Sequence, residues 1–307
     1  MTARDLTETV VLEGLAYPEG PCLDVTGTLH VVELAAGTVS RVVDGRREVL
    51  AELGGSPNGA AIDGDGRLWL CNNGGHWGPN ASTGHRAGPG GLVRPSIQAV
   101  DKDGSWTTIA DEADGTPLAS PNDLALDPRG GLWFTDPVWA EPDPTGASAA
   151  ASSPPGTVGY VDEDGRARRC ASDLVFPNGL ALTPDWSELV VGETGTGKIL
   201  AYPILAPGRL GAPRTWCELG EDAFPDGMAF DSAGRLVVAG TGSGALFVVT
   251  PGDGVERLPL EDVDVTNVCF GGADGRTLYV TEAALGRVVT LGWDVPGEHL
   301  PVGPRLW

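Results

Sequence analysis

Six segments of the chain share one pattern of apolar and polar positions. In each segment, a proline or threonine and a polar residue precede a short apolar run, and a turn rich in Asp and Gly leads to a second apolar run. Short apolar runs separated by such turns predict pairs of antiparallel strands rather than helices. The six segments begin at Tyr17, Ser56, Ser120, Phe176, Phe224 and Val265.

The spacing of these repeats indicates the fold. The polar residues at their heads are separated by 39, 64, 56, 48 and 41 residues, and further apolar runs such as GALFVVTP follow within the units. A period of about 40 residues with about four strands is typical of a β-propeller blade. We therefore predict an all-β fold, a six-bladed β-propeller with four antiparallel strands per blade, which forms a single domain over residues 1–307.

The two longest separations contain insertions. They lie near residues 74–91 and 137–156, each after the second predicted strand of its blade, and both are rich in Gly, Pro, Ala and Ser. We interpret them as long loops that rim one face of the propeller. For residues 147–153 the alternative is a low-complexity insert without fixed structure.

The composition fits many short strands and excludes several classes of partner. The chain has 46 Gly and 25 Pro among 307 residues, which favours turns over long helices. Its net charge of −22 excludes the basic surface of a nucleic-acid-binding protein. Neither an apolar leader at the N-terminus nor an apolar run of about 18 residues is present, so we expect no membrane partner. Five widely spaced cysteines without a CxxC motif predict reduced thiols in a cytoplasmic protein.

One motif in the sequence resembles a phosphate-binding loop but fails its requirements. The stretch GETGTGKIL, residues 192–200, has the glycine and lysine spacing of that loop. Ile199 stands where Ser or Thr should bind magnesium, and a strand-like run follows instead of a helix. We interpret the stretch as a hairpin between two strands of one blade.

Equivalent residues of a radial repeat lie at equivalent positions around its axis. The polar residues at the heads of the repeats should therefore converge on one mouth of the central channel. Carboxylate and amide oxygens suit Ca²⁺, Mg²⁺ or Mn²⁺, whereas the lack of His and Cys argues against a structural zinc site. The alternative is that these side chains cap backbone groups where the blades begin. The six residues are Glu19, Asn58, Asn122, Asn178, Asp226 and Asn267.

The motifs YPEGP, SPNDLALDP, LWFTDP, FPNGLALTPD and FPDGMAFDSAGRLVVA resemble the senescence marker protein, gluconolactonase and luciferin-regenerating family over about residues 17–289. The resemblance implies a six-bladed propeller with one divalent metal at the channel mouth, and hydrolysis of sugar lactones or related cyclic esters. It places the metal ligands at Glu19, Asn178 and Asp226. It makes Asn122 the asparagine on the substrate side of the metal.

These residues suit ester hydrolysis. A metal with open positions polarises a lactone carbonyl and lowers the pKa of a bound water. We expect Asp226 and Asn122 to be catalytic, with Asp226 accepting a proton from water or passing one to the ring oxygen. Whether Asp226 or a metal-bound hydroxide is the base or nucleophile stays open. The candidate substrate-binding residues are Asn58, Asn122, Asn73, His76, Trp77, Asp136 and Trp139; for His76, Trp77 and Trp139 on the inserted loops, the alternative is a packing or solvated side chain.

The expected protein is thus a carboxylic ester hydrolase with one divalent metal ion, Ca²⁺ being favoured over Zn²⁺, Mn²⁺, Mg²⁺ or Fe²⁺. Its partner is a small lactone or ester, and we expect a monomer or a weak homodimer. A second hypothesis is a non-hydrolytic propeller enzyme that catalyses a condensation or rearrangement in specialised metabolism. A third is an interaction propeller without catalysis, against which Glu19, Asn178 and Asp226 argue together.

Overall fold

A computed structural model describes residues 5–75, 91–139 and 150–298 of the chain. These residues form strands and turns, and the all-β prediction is confirmed. No helix occurs among them, so none there has the length and apolar character needed to cross a bilayer.

The first three blades are antiparallel sheets built from consecutive strands. Blade 1 consists of Pro18–Leu23, Leu29–Glu33, Thr38–Val43 and Arg46–Glu52. Blade 2 consists of Pro57–Ile62, Leu68–Asn72, Ser96–Val100 and Trp106–Ala110. A small hairpin follows it, formed by Glu112–Ala113 and Thr116–Pro117. Blade 3 consists of Leu124–Leu126, Leu132–Asp136, Gly156–Val161 and Ala167–Leu174.

The other three blades include one sheet with an additional short strand. Blade 4 consists of Pro177–Leu182, Glu188–Glu193, Lys198–Ala206 and Arg214–Glu218, with Arg209–Leu210 also paired to its third strand. Blade 5 consists of Pro225–Phe230, Leu236–Gly240, Ala245–Thr250 and Gly254–Pro259. Blade 6 consists of Val265–Gly271, Thr277–Glu282, Arg287–Gly292 and the N-terminal strand Asp5–Glu13. The GETGTGKIL stretch is a hairpin in blade 4, as predicted.

The first strand of each blade lies at the axis. First strands of successive blades contact one another around the whole ring, and that of blade 6 contacts that of blade 1. Gly59 in blade 2, for example, donates its N–H to the carbonyl of Asn122 at the head of blade 3, over 2.7 Å. The six-bladed propeller prediction is confirmed.

Ring closure by the N-terminal strand was not predicted from the repeat. Asp5–Glu13 pairs with Arg287–Gly292, so the outer strand of blade 6 comes from the opposite end of the chain. Arg287 strengthens this junction because its guanidinium pairs with Glu282 of its own blade, with Glu8 at 3.1 Å and with Glu261 at 2.7 Å. The pattern gave no signal because the nine residues of this strand belong to no repeat.

The Asp-rich turns of the repeat have a definite role. Asp63 in blade 2 accepts the backbone N–H groups of Asp65 and Arg67 through one oxygen and the indole N–H of Trp69 through the other. Asp127 in blade 3 makes the same type of contact with Trp133. In these two blades, a carboxylate that satisfies both a turn and a buried indole fixes the start of the second strand.

We expect the substitution Arg287→Met to destabilise the protein by about 3 kcal/mol, because it leaves the fully buried Glu282 carboxylate without its cationic partner. Urea unfolding measures the change. In the double variant Arg287→Met with Glu282→Gln, most of the lost stability should return, since no buried charge is left unpaired. Equal stability of the single and double variants would contradict this assignment.

Candidate active site at the channel mouth

One mouth of the channel holds a cavity of about 260 Å³. Five of the six polar residues at the heads of the repeats line it. All five are buried in the protein, so their polar groups face the cavity and each other rather than bulk solvent. The five are Glu19, Asn58, Asn122, Asn178 and Asp226.

Local backbone geometry positions three of these side chains. In blades 1, 4 and 5 the polar residue follows a proline, and an aromatic residue precedes that proline. These aromatic residues have left-handed φ angles, which are uncommon outside glycine and tend to occur at functional sites. The strand pairing also shifts register just after each of the three polar residues, and such bulges redirect side chains. The φ angles are 58° at Tyr17, 54° at Phe176 and 43° at Phe224.

The glycine after the polar residue lets the inner strands approach closely. A Cβ at Gly227 would lie 2.0 Å from the side-chain Cγ of Asn267 in the next blade. A Cβ at Gly179 would lie 2.0 Å from the carbonyl oxygen of Asp226. The Pro-polar-Gly motif is therefore a packing requirement of the ring as well as a turn signal.

Threonine hydroxyls join neighbouring blades at the same level. Thr135 donates to the carbonyl of Asn178 over 2.7 Å, and Thr194 donates to the carbonyl of Pro225 over 2.7 Å. Thr266 donates to the carbonyl of Pro18 over 3.0 Å. These bonds fix the heads of the inner strands relative to one another, and with them the side chains that line the cavity.

Two buried carboxyl groups, those of Glu19 and Asp226, lie in this cavity. Burial raises the pKa of Glu19, and the negative charge of Asp123 raises it further. Burial also raises the pKa of Asp226, with Glu19 and Asp123 adding to the effect. Among the described residues that line the cavity, none is Lys, Arg or His. The site therefore favours a bound cation or retained protons.

The side-chain oxygens of this group are suited to a hard cation. Asn178 Oδ1 is buried and accepts no hydrogen bond, which leaves its lone pairs available. Within the described ranges, no three His, Cys, Asp or Glu side chains form a metal-binding group, and the set here consists instead of two carboxylates with amide oxygens. Glu19, Asn178 and Asp226 could hold a divalent ion such as Ca²⁺, which prefers oxygen ligands.

Beneath these residues lie two polar side chains to which the sequence analysis gave no catalytic or binding role. Asn267 donates through Nδ2 to Glu19 Oε2 over 2.8 Å, and its side chain is also hydrogen-bonded to Asp123. Burial raises the pKa of Asp123 to about 7. Asp123 occupies the position that glycine takes in four of the other repeats. This replacement of glycine in the PND motif is the sequence signal that could have identified Asp123.

Two predicted substrate-binding residues have structural contacts instead of lining the cavity. Asp136 accepts the backbone N–H groups of Ala119 at 3.0 Å and Ser120 at 2.7 Å. Asn73 is buried and accepts the N–H of Gly75 over 3.2 Å. The same contact recurs in four other blades. In each of them, the last residue of the second strand accepts a backbone N–H from the segment that leads into the first strand. Those residues are Glu33, Asn72, Glu193 and Glu282.

Of the predicted residues on the inserted loops, only one is described. Trp139 lines the cavity and packs edge-on against Phe176, with 4.6 Å between the ring centroids. His76 and Trp77 lie outside the described residues.

The inner strands of this propeller direct buried carboxylate and amide oxygens into one channel mouth. The sequence profile described as SMP-30/Gluconolactonase/LRE-like region matches residues 17–284. The chain belongs to this family.

Relatives cover much or nearly all of the chain. Diisopropyl-fluorophosphatase of Loligo vulgaris is 26% identical over 94% of this chain and 93% of that protein. 6-Deoxy-6-sulfogluconolactonase of Pseudomonas putida is 31% identical over 62% of this chain and 64% of that protein, which is less than two thirds of its length. The structure of a gluconolactonase from Xanthomonas campestris has the same fold, with a TM-score of 0.74, 24% identity and 95% coverage of each chain.

The raised pKa values predict how the metal-free protein responds to pH. An acid whose pKa is higher in the folded state stabilises the fold below its ordinary value near 4, and that stability is lost as the pH rises through the folded value. In the presence of a chelator, the substitution Asp226→Asn should therefore raise the free energy of unfolding at about pH 8, by on the order of 1 kcal/mol, and have little effect near pH 4. Thermal unfolding at the two pH values measures this. A variant that is destabilised equally at both would rule out a buried charge as the cause.

Proposed function

We propose that the protein is a divalent-metal-dependent hydrolase that opens the ring of a small lactone. The observation that carries this proposal is the pair of buried carboxylates, Glu19 and Asp226, which share one cavity with the unpartnered amide oxygen of Asn178. Two relatives with lactonase names support the choice of a lactone. We infer a carboxylic ester hydrolase with Glu19, Asn178 and Asp226 as the metal ligands.

We propose Ca²⁺ as the ion because the donors are oxygens alone, with Zn²⁺, Mn²⁺, Mg²⁺ and Fe²⁺ as alternatives. A bound divalent ion supplies Lewis acidity to the lactone carbonyl and increases the acidity of water. Two hydrogen bonds fix the Glu19 carboxylate in position for this role. It accepts one from the backbone N–H of Gly20 at 2.7 Å and one from the side-chain amide of Asn267 at 2.8 Å.

We assign the remaining steps of the reaction to side chains of the protein. Water oxygen attacks the lactone carbonyl carbon, the bond from that carbon to the ring oxygen breaks, and the product is a hydroxy acid. We assign to Asp226 the transfer of a proton from the attacking water to the departing ring oxygen. The amide of Asn122, on the same cavity wall, orients the substrate. Tyr17, Phe176 and Phe224 surround the group with apolar surface and limit the access of water.

A second candidate activity is hydrolysis of a fluorophosphate ester. Diisopropyl-fluorophosphatase matches nearly the full length of both chains, which favours testing it. In both reactions negative charge develops on an oxygen bound to the attacked atom, so one cationic site can serve either. The condensation or rearrangement hypothesis gains no support from these relatives.

The decisive experiment combines metal binding with acid release from a lactone panel. We expect saturable binding of Ca²⁺ by calorimetry and metal-dependent acid release from at least one lactone. Asp226→Asn should weaken metal binding and reduce kcat/KM by about a hundredfold or more, since it removes both a ligand and the proton carrier.

The matched control is Asp253→Asn, which makes the same chemical change at an exposed turn between the third and fourth strands of blade 5. It should behave as the unmodified protein does. Metal binding without hydrolysis of any lactone or fluorophosphate would rule out the hydrolase. Absence of metal binding, together with an Asp226→Asn variant of undiminished activity, would rule out the proposed site.

A further inference from the structure

The cavity above the polar cluster has an aromatic wall, which we define as Tyr17, Trp139, Phe176 and Phe224. Phe176 is 3% exposed and supports Trp139, whose ring meets it edge-on. Tyr17, Trp139 and Phe224 are half-buried, as expected for rings that cover one side of a cavity and present a face to it. The free energy of binding becomes more favourable when an apolar ligand displaces water from a surface of this kind.

The wall is fixed by the same backbone that positions the polar cluster. Tyr17, Phe176 and Phe224 immediately precede Pro18, Pro177 and Pro225, and all three have positive φ angles. A left-handed conformation in a bulky residue is costly and persists only where the surroundings enforce it. The three rings are therefore held next to Glu19, Asn178 and Asp226 rather than free to turn away, and a rigid apolar surface loses little entropy when a ligand binds.

The ionisable groups at this cavity would discriminate against an anionic ligand. One divalent ion balances the charges of Glu19 and Asp226 but not that of Asp264, which also lines the cavity. The Asp264 carboxylate interacts with the backbone N–H of Gly242 and accepts a long 3.4 Å bond from the Tyr17 hydroxyl, and neither donor is cationic. A substrate carboxylate, phosphate or sulfonate would thus meet like charge without an Arg, Lys or His among the described lining residues.

We propose that the substrate is an uncharged lactone with an apolar alkyl or aryl substituent. The substituent lies against the aromatic wall while the ring carbonyl faces Asn178 and Asp226. This inference rests on the proposed lactone hydrolysis and adds the substrate class, because the four rings of the aromatic wall give apolar contact to an alkyl or aryl substituent and no comparable contact to the hydroxyl groups of a sugar lactone.

Kinetics with matched six-membered lactones test the substrate class. δ-Decalactone carries a pentyl chain, δ-valerolactone has no substituent, glucono-δ-lactone carries hydroxyl groups, and a δ-lactone with a terminal carboxylate on its chain carries a charge. With the metal-loaded full-length protein, we expect kcat/KM for δ-decalactone to exceed each of the other values by about tenfold or more. A preference for the gluconolactone or for the carboxylate lactone would overturn the proposal while leaving lactone hydrolysis intact.

Variants at two positions locate the origin of the preference. Phe224→Ala should reduce the ratio of kcat/KM for δ-decalactone over δ-valerolactone by about tenfold, and the milder Phe224→Leu should reduce it less. Asp264→Asn should increase the relative kcat/KM of the carboxylate lactone. The matched control is Phe270→Ala, which alters a phenylalanine of blade 6 that lines a separate cavity of about 270 Å³ and should leave both ratios unchanged. Unchanged ratios in the Phe224 and Asp264 variants would contradict the proposal.

Binding of unreactive analogues separates this inference from the proposed reaction. The lactams that correspond to δ-decalactone and δ-valerolactone keep the ring carbonyl but resist hydrolysis. Calorimetry should give at least about tenfold tighter binding of the pentyl-substituted lactam, with the difference reduced in Phe224→Ala. If no lactone is hydrolysed but this difference is present, the hydrolase proposal fails and the ligand class stands. Equal binding of the two lactams would overturn the ligand class whatever the hydrolytic activity.

Discussion

The repulsion between two carboxylates buried in one cavity is the constraint that organises this protein. Glu19 and Asp226 come from blades on different parts of the chain, and burial with mutual repulsion opposes their ionisation. Such a pair is maintained only if the scaffold tolerates the cost, which a bound cation or retained protons reduce. The ring of six sheets provides that tolerance because apolar side chains pack between its blades, as where Val190 and Ile199 share a core cluster with Phe230 and Val238.

The same constraint explains the neighbours of the polar residue in blades 1, 4 and 5, where an aromatic residue and a proline precede it and a glycine follows it. The aromatic residue and proline set the direction of the polar side chain, the glycine allows the next blade to approach, and the threonine hydroxyls hold neighbouring heads in register. Blade 3 departs from this scheme with Asp123 in place of the glycine, and blade 6 departs from it with Thr266 and Val268 on either side of Asn267. The two departures meet beneath Glu19, so the asymmetry of the site arises where the repeat is least regular.

Much of the fold was predictable because the determinants were local. Alternating apolar runs and Asp-Gly turns specify a strand pair within about 20 residues, and six copies at propeller spacing specify the ring. The convergence of the polar heads followed from radial symmetry. Contacts between residues far apart in the sequence were not predictable from one segment, as the hydrogen bond from Asn267 to Glu19 and the cap formed by Asp136 show. Repetition could have revealed the cap, because the last position of the second strand is polar in five blades.

The N-terminal strand has a kinetic consequence. Thr9 and Thr290 pair across 281 residues of sequence, so this strand acquires its partner only after the rest of the propeller has been synthesised. Contacts of such long sequence separation slow folding, because the chain loses the conformational entropy of the closed loop before the contact stabilises the fold. The last sheet keeps an unpaired edge until that strand docks. While the ring is open, the unpaired edge of this sheet can pair with a sheet edge of another molecule.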